Sequence, residues 1–141
     1  MTAPPQAACV LILRPSDGKV LAVSRKHDET QFGLPGGKVD PGETPREAAI
    51  REALEETGLD VRLLQPVYAG VCVGEIPHYT WTYLAAILGQ KQLPDEEGKV
   101  AWVSWSRLFE GPFQEYNLRV YEIAKRRGFL KMRKSGGNGI L

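Results

Sequence analysis

The chain has 141 residues, 43% of them apolar and 25% charged, a composition that suits one globular domain (1–141) with a buried core. A formal net charge of +1 argues against a protein that coats nucleic acid, because phosphate-backbone binders carry a clear basic excess. No basic stretch precedes a long apolar core, and no run approaches the roughly 18 apolar residues of a membrane span, so a soluble cytoplasmic protein with no membrane partner is expected.

Residues 1–6 form a short Pro-rich lead. Residues 7–13 and 20–24 read as apolar strands joined by the turn Pro15-Ser16-Asp17-Gly18-Lys19, hence a hairpin, whose apolar edge offers a surface for a homodimer. Arg25, Lys26 and His27 follow, either as a solvated loop or as groups facing the phosphates of a bound nucleotide; Arg25 is the stronger candidate, since His27 has no partner nearby in sequence. Cys9 and Cys72 sit in apolar runs, with no spacing that suggests a disulfide framework or a metal site, and are expected as buried reduced thiols.

Residues 33–59 are the most informative stretch. Gly33, Gly36, Gly37 and Gly42, with two prolines, make a loop whose backbone can approach a phosphate or metal closely. A helix follows directly: Thr44 can cap it, Pro45 sits where a missing N–H costs nothing, Glu47 completes a capping box, and Gly58 ends it. Ile50 and Leu54, one turn apart beside Ala49 and Ala53, are expected to pack on a sheet. The opposite face carries Arg51, Glu52, Glu55 and Glu56, and at about 100° per residue the three carboxylates converge. Without a metal they repel one another, whereas a hard divalent cation turns that repulsion into coordination, which favours Mg2+ with Mn2+ as a substitute. A Glu43–Arg51 pair is expected to fix the loop against the helix. An acidic helix face is more often plain solvated surface, but the glycine loop beside this one changes that balance.

Beyond the helix, 61–73, 79–88 and 100–105 read as strands, the second an alternating aromatic run of Tyr79, Trp81 and Tyr83 of which one face can stack a nucleobase. Residues 105–109 form a helical turn, with Trp105 expected nearer solvent than Trp102, and 114–127 a second helix with an apolar stripe of Tyr116, Val120, Ile123 and Ala124. Residues 131–141 are a basic, then glycine-rich tail. Strands on both sides of an acidic helix and a helix near the end give a layered α/β domain with a mixed sheet.

The segment 37–59 resembles the Nudix box of the Nudix hydrolases: Gly37, Glu43, Arg51, Glu52, Ala53, Leu54, Glu55, Glu56, Thr57, Gly58 and Leu59 fill its places, with Ala53 smaller than the usual aliphatic residue. The resemblance implies an α/β/α sandwich and a magnesium-dependent enzyme that hydrolyses a nucleoside diphosphate linked to another group. It further implies Glu52, Glu55 and Glu56 as metal ligands with the Gly37 carbonyl, and Glu43 and Arg51 as support. The three glutamates are also catalytic candidates, and the family's frequent recruitment of a glutamate before a later strand points to Asp95-Glu96-Glu97, with Glu97 preferred as base. The stretch 113–120 resembles the place where the nucleoside triphosphate branch carries a base-contacting asparagine, here Asn117; a helix-surface residue is the plainer reading. Pro66, Pro77 and Tyr79 do not fall at the offsets of the ADP-ribose or dinucleoside polyphosphate branches. A nucleoside triphosphate pyrophosphohydrolase is therefore expected. Enzymes for ADP-ribose or another nucleoside diphosphate sugar, a dinucleoside polyphosphate or an RNA 5′ end, and a non-catalytic nucleotide-binding module, stay open.

Overall fold

The computed structural model describes residues 5–73, 76–93 and 98–131. Its strands are β1 (Gln6–Leu11), β2 (Val20–Arg25), β3 (Asp28–Gly33), β4 (Gly36–Lys38), β5 (Leu59–Cys72), β6 (His78–Gln90) and β7 (Val100–Val103); its helices are α1 (Pro45–Thr57), α2 (Trp105–Phe109) and α3 (Gln114–Arg126). One sheet has the order β4-β1-β6-β5, and a smaller one the order β3-β2-β7. The first sheet is mixed: β1 runs parallel to β6, while β4 pairs antiparallel to β1 and β5 antiparallel to β6.

Alternation along β1 sets the layers, because successive side chains of a strand point to opposite faces. Ala8, Val10 and Ile12 pack with Ala48, Ala49 and Ala53 of α1 and with Tyr83, while Cys9, Leu11 and Leu13 join the second sheet and α3 through Val20, Phe32, Val103, Tyr116 and Val120. The result is the expected α/β/α layering around a mixed sheet.

The helix signals at residues 44–58 are all met. Thr44 Oγ1 accepts from the Glu47 N–H at 3.1 Å, Glu47 Oε1 accepts from the Thr44 N–H at 2.9 Å, and Gly58 closes the helix in the left-handed region at φ 76°. The packing face is as expected at Ala49 and Ala53, with Leu54 half-buried, and differs at Ile50. Ala48, Ala49, Ala53 and Thr57 are buried, and Ile50 is exposed. Small side chains line that face, so the helix can lie close against the sheet. Ala53, the small residue of the box, belongs to this contact.

Other expectations are corrected by long-range pairing. The two early strands do not form a hairpin ladder; they meet at the single bridge Leu13–Val20 and then diverge into different sheets. Strands β3 and β4 arise where a loop was expected. The aromatic alternation of β6 is real, but Trp81 and Tyr83 pack on the α1 side, and the side toward α3 carries Thr80 and Thr82. Trp105 is buried, whereas Trp102 lies half-buried beneath the Arg14 guanidinium. Among the described residues no helix is long and apolar enough to cross a membrane.

Candidate active site

The glycine loop reaches α1 because β4 is stitched onto β1, with Ala8 opposite Gly37 and Cys9 opposite Gly36. Two adjacent glycines serve two close approaches. A Cβ on Gly36 would lie 2.4 Å from both the Ala8 carbonyl oxygen and the Cys9 Cβ, and one on Gly37 would lie 2.4 Å from the Glu52 carboxylate carbon. Any side chain at Gly36 therefore pushes the loop off β1, and any at Gly37 displaces Glu52.

Arg51 is the hub of the acidic face. Its Nε donates to Glu43 Oε2 at 2.7 Å and its Nη2 to Glu43 Oε1 at 2.9 Å, a two-pronged pair; Nη2 also donates to the Lys38 carbonyl at 3.0 Å. The loop is thus tied to the helix at both a carboxylate and a backbone oxygen. The Arg51 hydrogen bonds pull the Glu43 carboxyl down to about 2, helped by the N–H of Asp40. Nη1 of Arg51 donates to Glu52 Oε1 at 3.0 Å and to Glu55 Oε1 at 2.8 Å.

Glu56 points elsewhere, and its Oε1 accepts from the Gly36 N–H at 2.7 Å. Glu52, Glu55 and Glu56 share one helix face, yet among the described residues no three acidic, histidine or cysteine side chains stand together as a ready metal cage. Two of the carboxylates are turned to Arg51 and the third to the loop backbone. The donor set itself fits a hard divalent cation, being all oxygen and beside the bare Cα of Gly37. Burial pushes the Glu52 carboxyl above its usual range, only partly offset by Arg51, so this group gains from a cation that lets it stay ionised.

One cavity borders this face at Glu56, and a second reaches it through Gly36 and Gly37 of the loop. The larger, about 700 Å³, is bounded by Arg25, Gly36, Gly37, Thr80, Tyr116 and Asn117 among others. The smaller, about 470 Å³, is bounded by Arg25, Lys26, His27, Gly36, Glu56 and Phe113 among others. They share Arg25, Gly36 and Phe113, and the basic turn after β2 borders the smaller of the two. Asn117 is not on the helix surface. It is 2% exposed, on the buried face of α3, and its Nδ2 has no hydrogen-bond partner among the described residues. Such a buried, unsatisfied donor is costly unless a ligand completes it.

Glu97, the candidate base, lies outside the described residues with Pro94, Asp95 and Glu96. Gly98, next in the chain, packs its Cα against the Ser24 carbonyl, and Ser24 borders the smaller cavity. Sequence reasoning missed the Gly36 N–H as a partner of Glu56, although the Gly-Gly pair was a visible sign of close backbone approach. It also missed Cys9, Thr80 and Tyr116 as cavity walls, for which no local signal exists.

A family model for the NUDIX domain matches residues 3–123. The chain belongs to the Nudix hydrolases. It is 39% identical over 108 residues to a Bacillus subtilis (strain 168) protein described as "Putative 8-oxo-dGTP diphosphatase", an alignment covering 73% of this chain and 68% of that one. A Mycobacterium tuberculosis protein described as "Putative 8-oxo-dGTP diphosphatase 3" is 34% identical over 93 residues, covering 61% of this chain and 43% of its own length. The chain thus spans between two thirds and less than half of these relatives. Among solved structures, a UDP-X diphosphatase superposes with TM-score 0.75 at 16% identity, over 90% of this chain and 66% of that one. The MutT protein from Methanosarcina mazei Go1 superposes with TM-score 0.70 at 21% identity, over 90% and 98%. At such identities the superpositions establish the fold alone.

Proposed function

We propose that this Nudix hydrolase is a Mg2+-dependent nucleoside triphosphate pyrophosphohydrolase that releases a nucleoside monophosphate and pyrophosphate. The observation that carries the reading is Asn117: a buried amide whose Nδ2 has no partner among the described residues, on a residue that borders a cavity large enough for a nucleoside and shared with Gly36 and Gly37 of the loop. A side-chain amide offers both a donor and an acceptor to a purine edge. The names of the Bacillus and Mycobacterium relatives support a purine triphosphate as the class to try first.

On this reading the roles divide as follows. Asn117 holds the base. Arg25, exposed and shared by both cavities, meets the phosphates and offsets their charge. Glu52, Glu55 and Glu56, with the Gly37 carbonyl, hold the cation, which when bound neutralises the diphosphate bridge and lowers its repulsion of an incoming hydroxide. Glu43 and Arg51 keep the loop and helix in register. Glu97 takes the proton from the attacking water, a role favoured by Gly98 packing on Ser24 at the edge of the smaller cavity.

The test is a product assay over canonical and oxidised nucleoside triphosphates, ADP-ribose, another sugar diphosphate and a dinucleoside polyphosphate. It is run with Mg2+, with Mn2+, with chelator and with Glu55→Gln. Monophosphate and pyrophosphate from a triphosphate, lost with chelator and in the variant, are expected. Faster cleavage of ADP-ribose than of any triphosphate would replace the substrate, and ligand-induced thermal stabilisation without any product would replace the enzyme by a nucleotide-binding module.

A further inference from the structure

Beneath the base cavity runs a buried chain of polar groups that the reaction itself does not use. The Tyr116 hydroxyl donates to the Thr80 carbonyl at 3.1 Å; Thr82 Oγ1 lies 2.6 Å from that hydroxyl, and Cys9 Sγ lies 3.0 Å from Thr82 Oγ1. Thr82 is 0% exposed, Tyr116 5% and Cys9 8%. The Tyr116 hydroxyl also lies 3.5 Å from the Tyr68 carbonyl. With the Tyr116 proton given to a carbonyl, which can only accept, Tyr116 accepts from Thr82 and Thr82 in turn from the Cys9 thiol. That order needs Cys9 to stay protonated, and burial supplies the condition by pushing its thiol up to about 12.

The chain joins β1, β6 and the first turn of α3, and Cys9, Thr80 and Tyr116 all border the cavity that Asn117 enters. Tyr116 immediately precedes Asn117. Its ring is further held against Tyr68, with centroids 5.2 Å apart. Among the described residues Asn117 has no side-chain partner at Nδ2 to fix it, so its position rests on the backbone of this turn. We propose that the Cys9–Thr82–Tyr116–Thr80 chain is a positioning device that sets where Asn117 meets the base, so that discrimination among bases depends on the Tyr116 hydroxyl. The inference rests on Asn117 as the base-contacting residue. Tyr116 acts through Asn117 and is a positioning residue, not a catalytic one.

The experiment compares the wild type with Tyr116→Phe, Thr82→Val, their double variant and Asn117→Ala. The readout is the ratio of kcat/KM for a guanine, an 8-oxoguanine and an adenine nucleoside triphosphate, with melting temperatures alongside. Asn117→Ala is expected to flatten the ratio. Tyr116→Phe and Thr82→Val are each expected to lower it about three- to tenfold, the worth of one net hydrogen bond, with the larger part of the loss in KM. The double variant should be no worse than either single one, because one break already interrupts the chain. If Asn117→Ala flattens the ratio while Tyr116→Phe and Thr82→Val keep it, the positioning role is overturned and the base contact stands. An unchanged ratio in Asn117→Ala overturns both. Should Tyr116→Phe fail to fold, Thr82→Val decides alone: a lowered ratio supports the device and an unchanged one overturns it.

Discussion

The two ends of the site are assembled over different distances along the chain. At the acidic end, the capping box joins residues 3 apart, the Glu43–Arg51 pair residues 8 apart, and the Glu56–Gly36 bond residues 20 apart. At the cavity end, Cys9 meets Thr82 across 73 positions, Thr82 meets Tyr116 across 34, and Tyr116 meets Thr80 across 36. The first end is a loop and a helix that carry their own start, stop and tether. The second exists only once β1, β6 and α3 have been brought together. Charged groups are therefore concentrated in one contiguous stretch, while the walls of the larger cavity come from distant parts of the chain.

That contrast is open to test by mutation. The largest effect is expected from Glu52→Gln, which removes a charge from the acidic end without reaching the cavity. Turnover should fall by roughly 100-fold or more, the scale on which carboxylates act in such steps, while nucleotide binding measured by calorimetry in the absence of metal changes little. A comparable loss of metal-free binding would show that the two ends are not separable.

Gly36→Ala comes next, because Gly36 is where the ends touch. Its new methyl would meet the backbone of Ala8 and the Cβ of Cys9 at 2.4 Å. A loss of about 1–3 kcal/mol in denaturant unfolding is expected from such overpacking against backbone, together with weaker nucleotide binding. A near-neutral result would mean that β4 can lift from β1 without harm to either end.

Thr44→Ala removes a cap that belongs to the local end alone. It should cost about 1 kcal/mol of stability and leave the preference among bases unchanged. A shifted preference would tie α1 to the cavity in a way its contacts do not predict.

The smallest expected effect is the pH response of the Glu43–Arg51 tether. The Glu43 carboxyl is lowered from its ordinary 4.5 to about 2 in the folded protein, chiefly by the Arg51 hydrogen bonds. A lowered folded value means that the tether's contribution is fully present above about 4.5 and fades as pH falls toward about 2. The melting-temperature difference between wild type and Glu43→Gln should therefore be constant near neutrality and shrink over that acid range. A difference that grows with acidity would contradict the tether.

Much of the acidic end is legible in the sequence because its signals are local: a capping Thr, a Pro at the first turn, a Gly at the stop, and charges at helical spacing. What is not legible there is the orientation of the carboxylates, since Glu52 and Glu55 both accept from the two N–H groups of one Arg51 nitrogen. Ile50 departs from expectation for a related reason. Helical periodicity separates faces, but Ile50 lies at the edge between them, and the alanine face is chosen by how closely the helix can approach the sheet.

Asn117 can be named from its short sequence resemblance, but its burial cannot. An asparagine reads as surface by type, although Asn117 stands at helical spacing from Val120 and Ala124 of the apolar stripe and is buried with them. β3, with the sequence Asp-Glu-Thr-Gln-Phe-Gly, has little strand signal of its own and exists because β2 pairs with it. The hairpin expected at the start fails for the same cause: after one bridge, β1 finds β6 and β4, and β2 finds β3 and β7.

By itself, the order of residues determined the capped acidic helix, the glycine loop before it, the family and hence the layered α/β fold, because each depends on interactions between near neighbours or on a motif of fixed spacing. Only the tertiary structure decided which strands share a sheet, which face of β6 looks toward α3, and that Cys9, Thr80, Tyr116 and Asn117 border one cavity with the Thr82 hydroxyl buried behind them. Those are contacts between segments tens of residues apart, and which of many possible pairings wins is set by the burial of the whole core, a quantity that no local pattern contains.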